Sequence, residues 1–526
     1  MIYCTEKQVF YTSYQRQEFV RKEVHIIYCK IISGTTLGIE GRLIQVEVDI
    51  SDGLPAISMV GMLSAEVKEA GERVRTALKN TGFSIPPKRI TVNLSPADIK
   101  KQGTSYDLPI AVAILANLDS FPREQTENRL ILGELGLNGA VKPVKGVLPV
   151  VLEAKRMGIA SCILPKENVR EGMLVEGIEI IGAENLRQIC EFFNNGNLPS
   201  VRAINFQEKQ KEKTGVDFSE VNGQELLRRA AEIAAAGMHN LLMVGPPGSG
   251  KTMIARRIPT ILPLLDEEES MELTRIYSAS GLLTEGEAVR ERPFRAPHHS
   301  ASVAALIGGG SIPKAGEVTL ATHGVLFLDE LPEFSRSTLE AMRQPLEDRC
   351  VVISRAKAAY RFPADFMLIA AMNPCKCGYY PDRERCRCSE TEISAYQGRV
   401  SRPFLDRMDL VVRAAQIKYE QLYRKNQNED SACIRKRVEA AQKIQKERYK
   451  EEGIRYNSQL LPGQAAKYCK TDKTGKKLLE QAYARFNLTA RGYFRILKTA
   501  RTIADLDGSS QIKKHHISEA ICLRQR

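Results

Sequence analysis

The sequence predicts an α/β fold in which a parallel sheet carries a phosphate-binding loop on its carboxyl edge, with a second α/β domain before it and helices after it. Three observations predict this. Residues 245–252 (GPPGSGKT) directly follow the apolar run Leu241, Leu242, Met243, Val244 and lead into residues 253–257 at helical spacing. Two further apolar runs, 325–328 and 366–372, end in Asp329–Glu330 and Asn373. Residues 31–199 alternate between strand-like and helix-like apolar periods.

In chain order, residues 1–30 read as an N-terminal extension. Strand-like alternation begins at 29–33, and a glycine-punctuated β-rich segment follows to about residue 56. A helical period covers 65–78, a strand 89–94, a helix 108–118, and α/β alternation continues to about 193, giving one domain over 31–199. The charge run Glu208, Lys209, Lys211, Glu212, Lys213 marks a solvated linker over 200–222. A helix over 225–236, the loop and the two further strands place a nucleotide-binding core at 223–416. From 417 to 526 the pattern is helical and basic, clearest over 435–449 and 492–506, and reads as a separate subdomain.

The loop implies binding of ATP or GTP. Gly245, Pro246, Pro247, Gly248, Ser249 and Gly250 let backbone N–H groups point into one anion-binding nest, Lys251 reaches the β- and γ-phosphates, and the Thr252 hydroxyl is placed to ligate Mg²⁺. The helix that follows turns its positive end toward the phosphates. Asp329, leaving an apolar strand, is the second Mg²⁺ candidate, and Glu330 is placed to polarise an attacking water. Asn373 is read as orienting that water or as a turn residue before Pro374. Arg407 is read as an arginine finger for a neighbouring subunit or as a surface cation, and spacing leaves both open. The interval from Lys251 to Asp329 is long for one strand-helix pair, so the sequence predicts an insertion holding Ala296, Pro297, His298, His299 and Gly308, Gly309, Gly310.

These residues, together with FRAPHHSAS (294–302), IGGGSIPKAGEVTLATHGVLFLDELPEF (307–334), AAMNPCKCGYY (370–380) and LTARGYFRILKTARTIADL (488–506), resemble the magnesium-chelatase-like branch of the AAA+ ATPases and, within it, the ComM (YifB) competence-protein family. The resemblance runs from about residue 30 to the end. It implies an AAA+ P-loop sheet with a helical lid, preceded by a domain similar in fold to the proteolytic domain of Lon. It also implies a homo-oligomeric ring of six with ATP between subunits, Asn373 as sensor one, Arg407 as a finger in trans and Arg491 as sensor two. The activity that the resemblance implies is that of an ATP-driven, helicase-type motor promoting branch migration of DNA. Lon's nucleophile position falls in Gly103, Thr104, Ser105, Tyr106, Asp107, so a serine is present, but Val150 stands where the partner lysine belongs. A serine without a base is a poor nucleophile, so proteolysis is the least favoured activity. The partner-subunit pattern DxSxS of metal chelation does not occur in the chain.

Cys375, Cys377, Cys386 and Cys388 form C-x-C, eight residues, C-x-C in a polar loop. That set suits a structural, tetrahedral Zn²⁺, with inert loop cysteines and a redox-sensitive thiol pair as the other readings. His298 with His299 and His515 with His516 are adjacent pairs that point apart, and read as phosphate or packing contacts. Residues 349–361 predict a β-hairpin with basic residues Arg349, Arg355, Lys357 and Arg361, either a DNA-backbone contact or a solvated turn.

At 526 residues and a formal charge of +13, the chain has room for about three domains and favours an anionic partner such as single-stranded or branched DNA. No apolar run approaches the roughly 18 residues of a membrane span. Charged residues Glu6, Lys7, Arg16, Glu18, Arg21, Lys22 and Glu23 replace a secretory apolar region, which predicts a cytoplasmic protein. A DNA-remodelling ATPase is the leading reading, with a protein- or metal-remodelling ATPase as the alternative.

Overall fold

The structure, a computed structural model, describes residues 28–196, 215–310, 313–355, 358–416 and 428–524. The extension expected over 1–30 therefore lies almost wholly outside the described residues, as do Lys357 and most of the charged linker. The first sheet has the order β3-β4-β2-β1-β5-β8-β9. Its strands are β1 (Tyr28–Leu37), β2 (Glu40–Ser51), β3 (Ala56–Val60), β4 (Arg89–Ser95), β5 (Arg129–Ile131), β8 (Ser161–Pro165) and β9 (Glu179–Ala183), while β6 (Glu134–Leu135) and β7 (Val141–Lys142) form a small hairpin beside it. Antiparallel pairing of β1 with β2 and of β2 with β4 gives way to parallel pairing from β1 through β5 and β8 to β9. The helix Asp107–Asn117 is apolar all round and buried along nearly its whole length, so it fills the core rather than covering it. Val150 is buried in the helix Val147–Arg156, where a Cβ on Gly34 would meet its Cγ1 at 2.2 Å. Close helix-on-strand packing, not an acid-base group, occupies that position.

The second sheet is wholly parallel, in the order β11-β14-β17-β10-β18. It comprises β10 (Leu241–Val244), β11 (Phe294–Arg295), β14 (Val325–Leu328), β17 (Met367–Met372) and β18 (Leu410–Arg413). Every residue of β14 and β17 is buried, as the continuous apolar runs require of strands covered on both faces. Because β14, β17 and β10 are neighbours running the same way, Asp329, Asn373 and Gly245 all emerge at one carboxyl edge. The expected insertion is less foreign than the sequence suggests. Part of it is β11, a strand of this sheet, and the remainder carries the hairpin β12 (Gly308–Gly309) and β13 (Lys314–Ala315). A second hairpin, β15 (Cys350–Arg355) and β16 (Ala358–Pro363), precedes β17.

The helices Ser431–Arg448 and Ala490–Leu506 pack on Glu225–Gly237, and their apolar residues join those of the sheet in one continuous core. Phe218, in the segment expected to link the domains, is fully buried in that core. The two α/β units also touch. Gly146 N donates to Ser278 O at 3.1 Å and the Ser278 hydroxyl to Glu171 at 2.5 Å, joining the first sheet's helices to Glu267–Ser280.

Candidate nucleotide-binding site

The loop after β10 takes its shape from its glycines. Gly248 and Gly250 have φ of 73° and 82°, conformations that disfavour any Cβ, and a Cβ on Gly245 would stand 2.6 Å from that of Ala414. The helix Lys251–Ile261 starts immediately after, so its free N–H groups face the loop's interior. Lys251 is nearly buried. Its Nζ donates to Gly245 O at 2.7 Å and Pro246 O at 2.9 Å and reaches Asn373 Oδ1 at 3.3 Å. Burial lowers its pKa, and the nearby Asp329 carboxylate works the other way. An ammonium held by two carbonyls in a cradle of inward N–H groups matches an anion of several oxygens. The Thr252 hydroxyl donates to Asp329 Oδ2 at 2.8 Å, and Asp329 Oδ1 accepts from Glu330 N at 3.0 Å. A hydroxyl from the first turn of the helix Lys251–Ile261 and a carboxylate from the end of β14 converge into a hard, oxygen-only donor set of the kind Mg²⁺ takes.

Glu330 sits at φ 50°, a left-handed conformation uncommon for a side-chain-bearing residue, and its carboxylate is 61% exposed. The structure brings His299 to it, Nδ1 lying 3.5 Å from Glu330 Oε2. Neither packing nor phosphate contact, the sequence expectations for His299, foresaw this. It follows from β11 lying beside β14, an adjacency that local periodicity does not encode. Gln224, which the sequence did not connect with the loop, donates its amide to Ser249 O at 3.0 Å and also to Ala415 O, tying the loop to the end of β18.

Arg407 and Arg491 are not with this group. Asn240, which precedes β10, donates to Arg407 O at 3.1 Å, and Arg495 on the Arg491 helix pairs with Asp409 at 3.1 Å. Both arginines therefore lie toward the amino edge of the sheet, and β10 alone, at about 3.3 Å per residue, sets roughly 13 Å between that edge and the loop. There they share one acceptor. Glu347 Oε1 lies 2.5 Å from Arg407 Nη2 and 3.3 Å from Arg491 Nη2. The Arg407 side chain is 4% exposed and that of Arg491 64%. Glu347 was not legible as a site residue, since 60 residues separate it from Arg407.

Along the hairpin β15–β16 the expected basic residues divide. Arg355 is at the tip, where Nη2 donates to Gly310 O at 2.7 Å, so the tips of the two hairpins touch. Arg361 is exposed on β16 opposite Val352. Arg349 is not at the tip: it caps the preceding helix at φ 52° and is ion-paired with Asp365 at the hairpin's base. That position removes it from any phosphate contact at the tip.

Cys375, Cys377, Cys386 and Cys388 come together, their sulfurs all within 4.8 Å of one another. The Cys377 thiol is pulled down to about 6, chiefly by a backbone hydrogen bond at Tyr379 and further by its neighbouring cysteines, against the effect of burial. The loop that carries them forms one wall of a cavity of about 420 Å³ beside Gly245 and Pro246.

Compared with known proteins, the chain matches three family models along its length: the magnesium chelatase subunit ChlI over residues 217–422, the ChlI subunit of Mg-chelatase over 46–168, and the ChlI C-terminal region over 428–524. It is 41% identical over 502 residues to the competence protein ComM of Haemophilus influenzae, covering 94% of this chain and 97% of that one. The chain belongs to the ComM/YifB family of magnesium-chelatase-like AAA+ proteins. Protein YifB of Salmonella typhimurium is 42% identical over 489 residues, covering 93% and 95% of the two chains. A weaker likeness, 27% over 169 residues or 29% of this chain, connects it to Lon protease 2 of Bacillus subtilis. ATP with Mg²⁺ fits an AAA+ family of this kind, and the residues described above have the chemistry to hold both. Among the described residues no helix is long and apolar enough to cross a membrane.

Proposed function

We propose that this chain hydrolyses ATP at sites completed between subunits of a six-membered ring, and that the cycle drives movement on DNA in the cytoplasm. The observation that carries the first part is the division of the site. The cradle, Asp329, Glu330 and Asn373 share the carboxyl edge, while Arg407 and Arg491 lie toward the opposite edge of the same chain. A chain that holds the phosphates at one face and its arginines at another can join them only through a neighbour, in the head-to-tail contact that closes a ring.

In this reading Lys251 and the loop N–H groups hold the β- and γ-phosphates, Glu330 accepts a proton from the attacking water, and Asn373 fixes that water's orientation. Thr252 and Asp329 would hold Mg²⁺, which would supply charge neutralisation at the phosphate oxygens. Arg407 and Arg491 supply positive charge to the neighbour's γ-phosphate as negative charge develops there. Until that neighbour arrives, Glu347 occupies the anion's place between them.

DNA is the favoured load for two reasons. Two hairpins meet at a tip bearing Arg355, with Arg361 exposed along the strand, and cations at such a height engage a phosphate backbone whatever its sequence. One relative is named a competence protein, and the resemblance to that family implies branch migration of DNA. The alternative load is a protein or metal-containing assembly, as the chelatase name suggests. The deciding experiment measures ATP turnover with and without single-stranded and branched DNA. Stimulation by DNA is expected. Turnover indifferent to every DNA form, with no binding, would leave an ATPase with another load.

A further inference from the structure

Residues 375–388 carry Lys376, Asp382, Arg383, Glu384, Arg385 and Arg387 and contain neither a helix nor a strand, so no backbone ladder fixes them. Their core is small: Cys375 and Cys386 are buried with Ile393, and Cys377, Tyr380 and Cys388 pack against them. So little apolar surface does not hold one conformation without a staple. The sulfurs are spaced for one. Cys375 Sγ lies 3.3 Å from Cys377 Sγ and 3.7 Å from Cys386 Sγ, with 3.6 Å between the latter two. A tetrahedral zinc with bonds of about 2.3 Å holds its sulfurs about 3.8 Å apart. A disulfide would need about 2.05 Å, which none of these pairs approaches. With all four sulfurs within 4.8 Å of one another, the space they enclose suits one ion and leaves no room for the sulfides of an iron–sulfur cluster.

We infer that Cys375, Cys377, Cys386 and Cys388 bind one Zn²⁺ as a tetrathiolate, and that this centre braces the nucleotide site from two sides. On one side, Cys375 follows Asn373 by two residues, so anchoring its sulfur fixes the end of β17 and the amide oxygen that meets Lys251. Gln397 secures the same bend by donating to Pro374 O at 2.8 Å. On the other side, Gly378, at φ 89°, lies against the cradle so closely that a Cβ there would meet Pro247 Cδ at 2.5 Å. The loop thus touches both the residue that orients the water and the loop that holds the phosphates. A centre released by about an ångström would loosen both at once. The bracing role rests on the reading of residues 245–252 as the ATP site; the metal assignment does not.

The test uses the full-length chain, purified without chelator and without a metal-affinity tag. Elemental analysis is expected to give about one zinc per chain, and the double variant Cys377→Ser/Cys388→Ser, which changes the two less buried ligands, to give close to none. Wild-type protein with less than about half an equivalent, or with iron in its place, overturns the metal assignment, as does a variant that keeps its zinc. Protein produced with Co²⁺ supplies a readout on the unaltered chain. Absorption bands of tetrahedral cobalt with thiolate-to-metal charge transfer are expected, and their absence counts against the site. For the brace, the variant is expected to bind a fluorescent ATP analogue about tenfold or more weakly. Equal binding by a zinc-free variant overturns the brace alone. Failure of the wild type to bind the analogue overturns the nucleotide reading and the brace with it, and leaves the zinc count standing.

Discussion

Replacing Arg407 with alanine separates binding from catalysis. In the single chain Arg407 lies beyond the amino end of β10, about 13 Å or more from the cradle, and touches Glu347, Pro403 O and no residue of the loop. ATP affinity in Arg407→Ala is therefore expected to stay within about threefold of wild type. In the proposed ring, turnover depends on the positive charge delivered to a neighbour's γ-phosphate, and arginines in that role are worth about a thousandfold or more in kcat. The fold should survive. Glu347 is 45% exposed and keeps Arg491, so no buried charge is orphaned, and the lost hydrogen bonds cost about 1–3 kcal/mol. Phosphate release at saturating ATP, alongside titration with a fluorescent ATP analogue, reads both quantities. A kcat within about tenfold of wild type, or lost affinity with unchanged kcat, would refute the proposed division of the site.

The other substitutions test the remaining roles. Lys251→Ala removes the buried ammonium and is expected to weaken ATP binding by about a hundredfold, as loss of charge-assisted contacts to phosphates should, whereas Glu330→Gln should bind ATP normally and hold it unhydrolysed; both are read by nucleotide retention on the isolated protein. Glu347→Gln weakens the hold on two arginines at once, so the ATP concentration for half-maximal turnover should fall with kcat nearly unchanged; a collapse of kcat would show that Glu347 aims the arginines rather than restraining them. Arg355→Glu with Arg361→Glu should abolish DNA stimulation and flatten the salt dependence of DNA binding while leaving DNA-free turnover intact; Arg349→Glu should instead lower the melting temperature, because its partner is Asp365.

Much of this architecture is legible in the chain because it is written in local patterns. The runs at 241–244 and 325–328 are the observed strands β10 and β14, the first leading straight into the glycine loop and the second ending at Asp329. The cradle declares itself because positive φ and close approach demand glycine at fixed spacing. Contacts between distant segments are less legible. His299 meets Glu330 only because β11 pairs with β14, and Glu347 meets Arg491 only through the packing of the last helices. Arg349 illustrates the opposite failure. The sequence groups it with the hairpin's basic residues, yet Arg349 is itself the left-handed residue before β15, and its side chain turns back to a carboxylate. The four cysteines were visible as a set, but whether their sulfurs converge depends on the loop's tertiary path.

The central claim, that each ATP site takes Arg407 from a neighbour, is tested most directly by mixing two inactive proteins. Arg407→Ala keeps the cradle and Glu330, and Glu330→Gln keeps the arginines. In rings formed at random from equal amounts, about a quarter of the interfaces join an intact cradle to an intact arginine face, so turnover should recover to about a quarter of wild type. Mixtures that remain as inactive as either variant alone, in rings shown to contain both, would contradict the account.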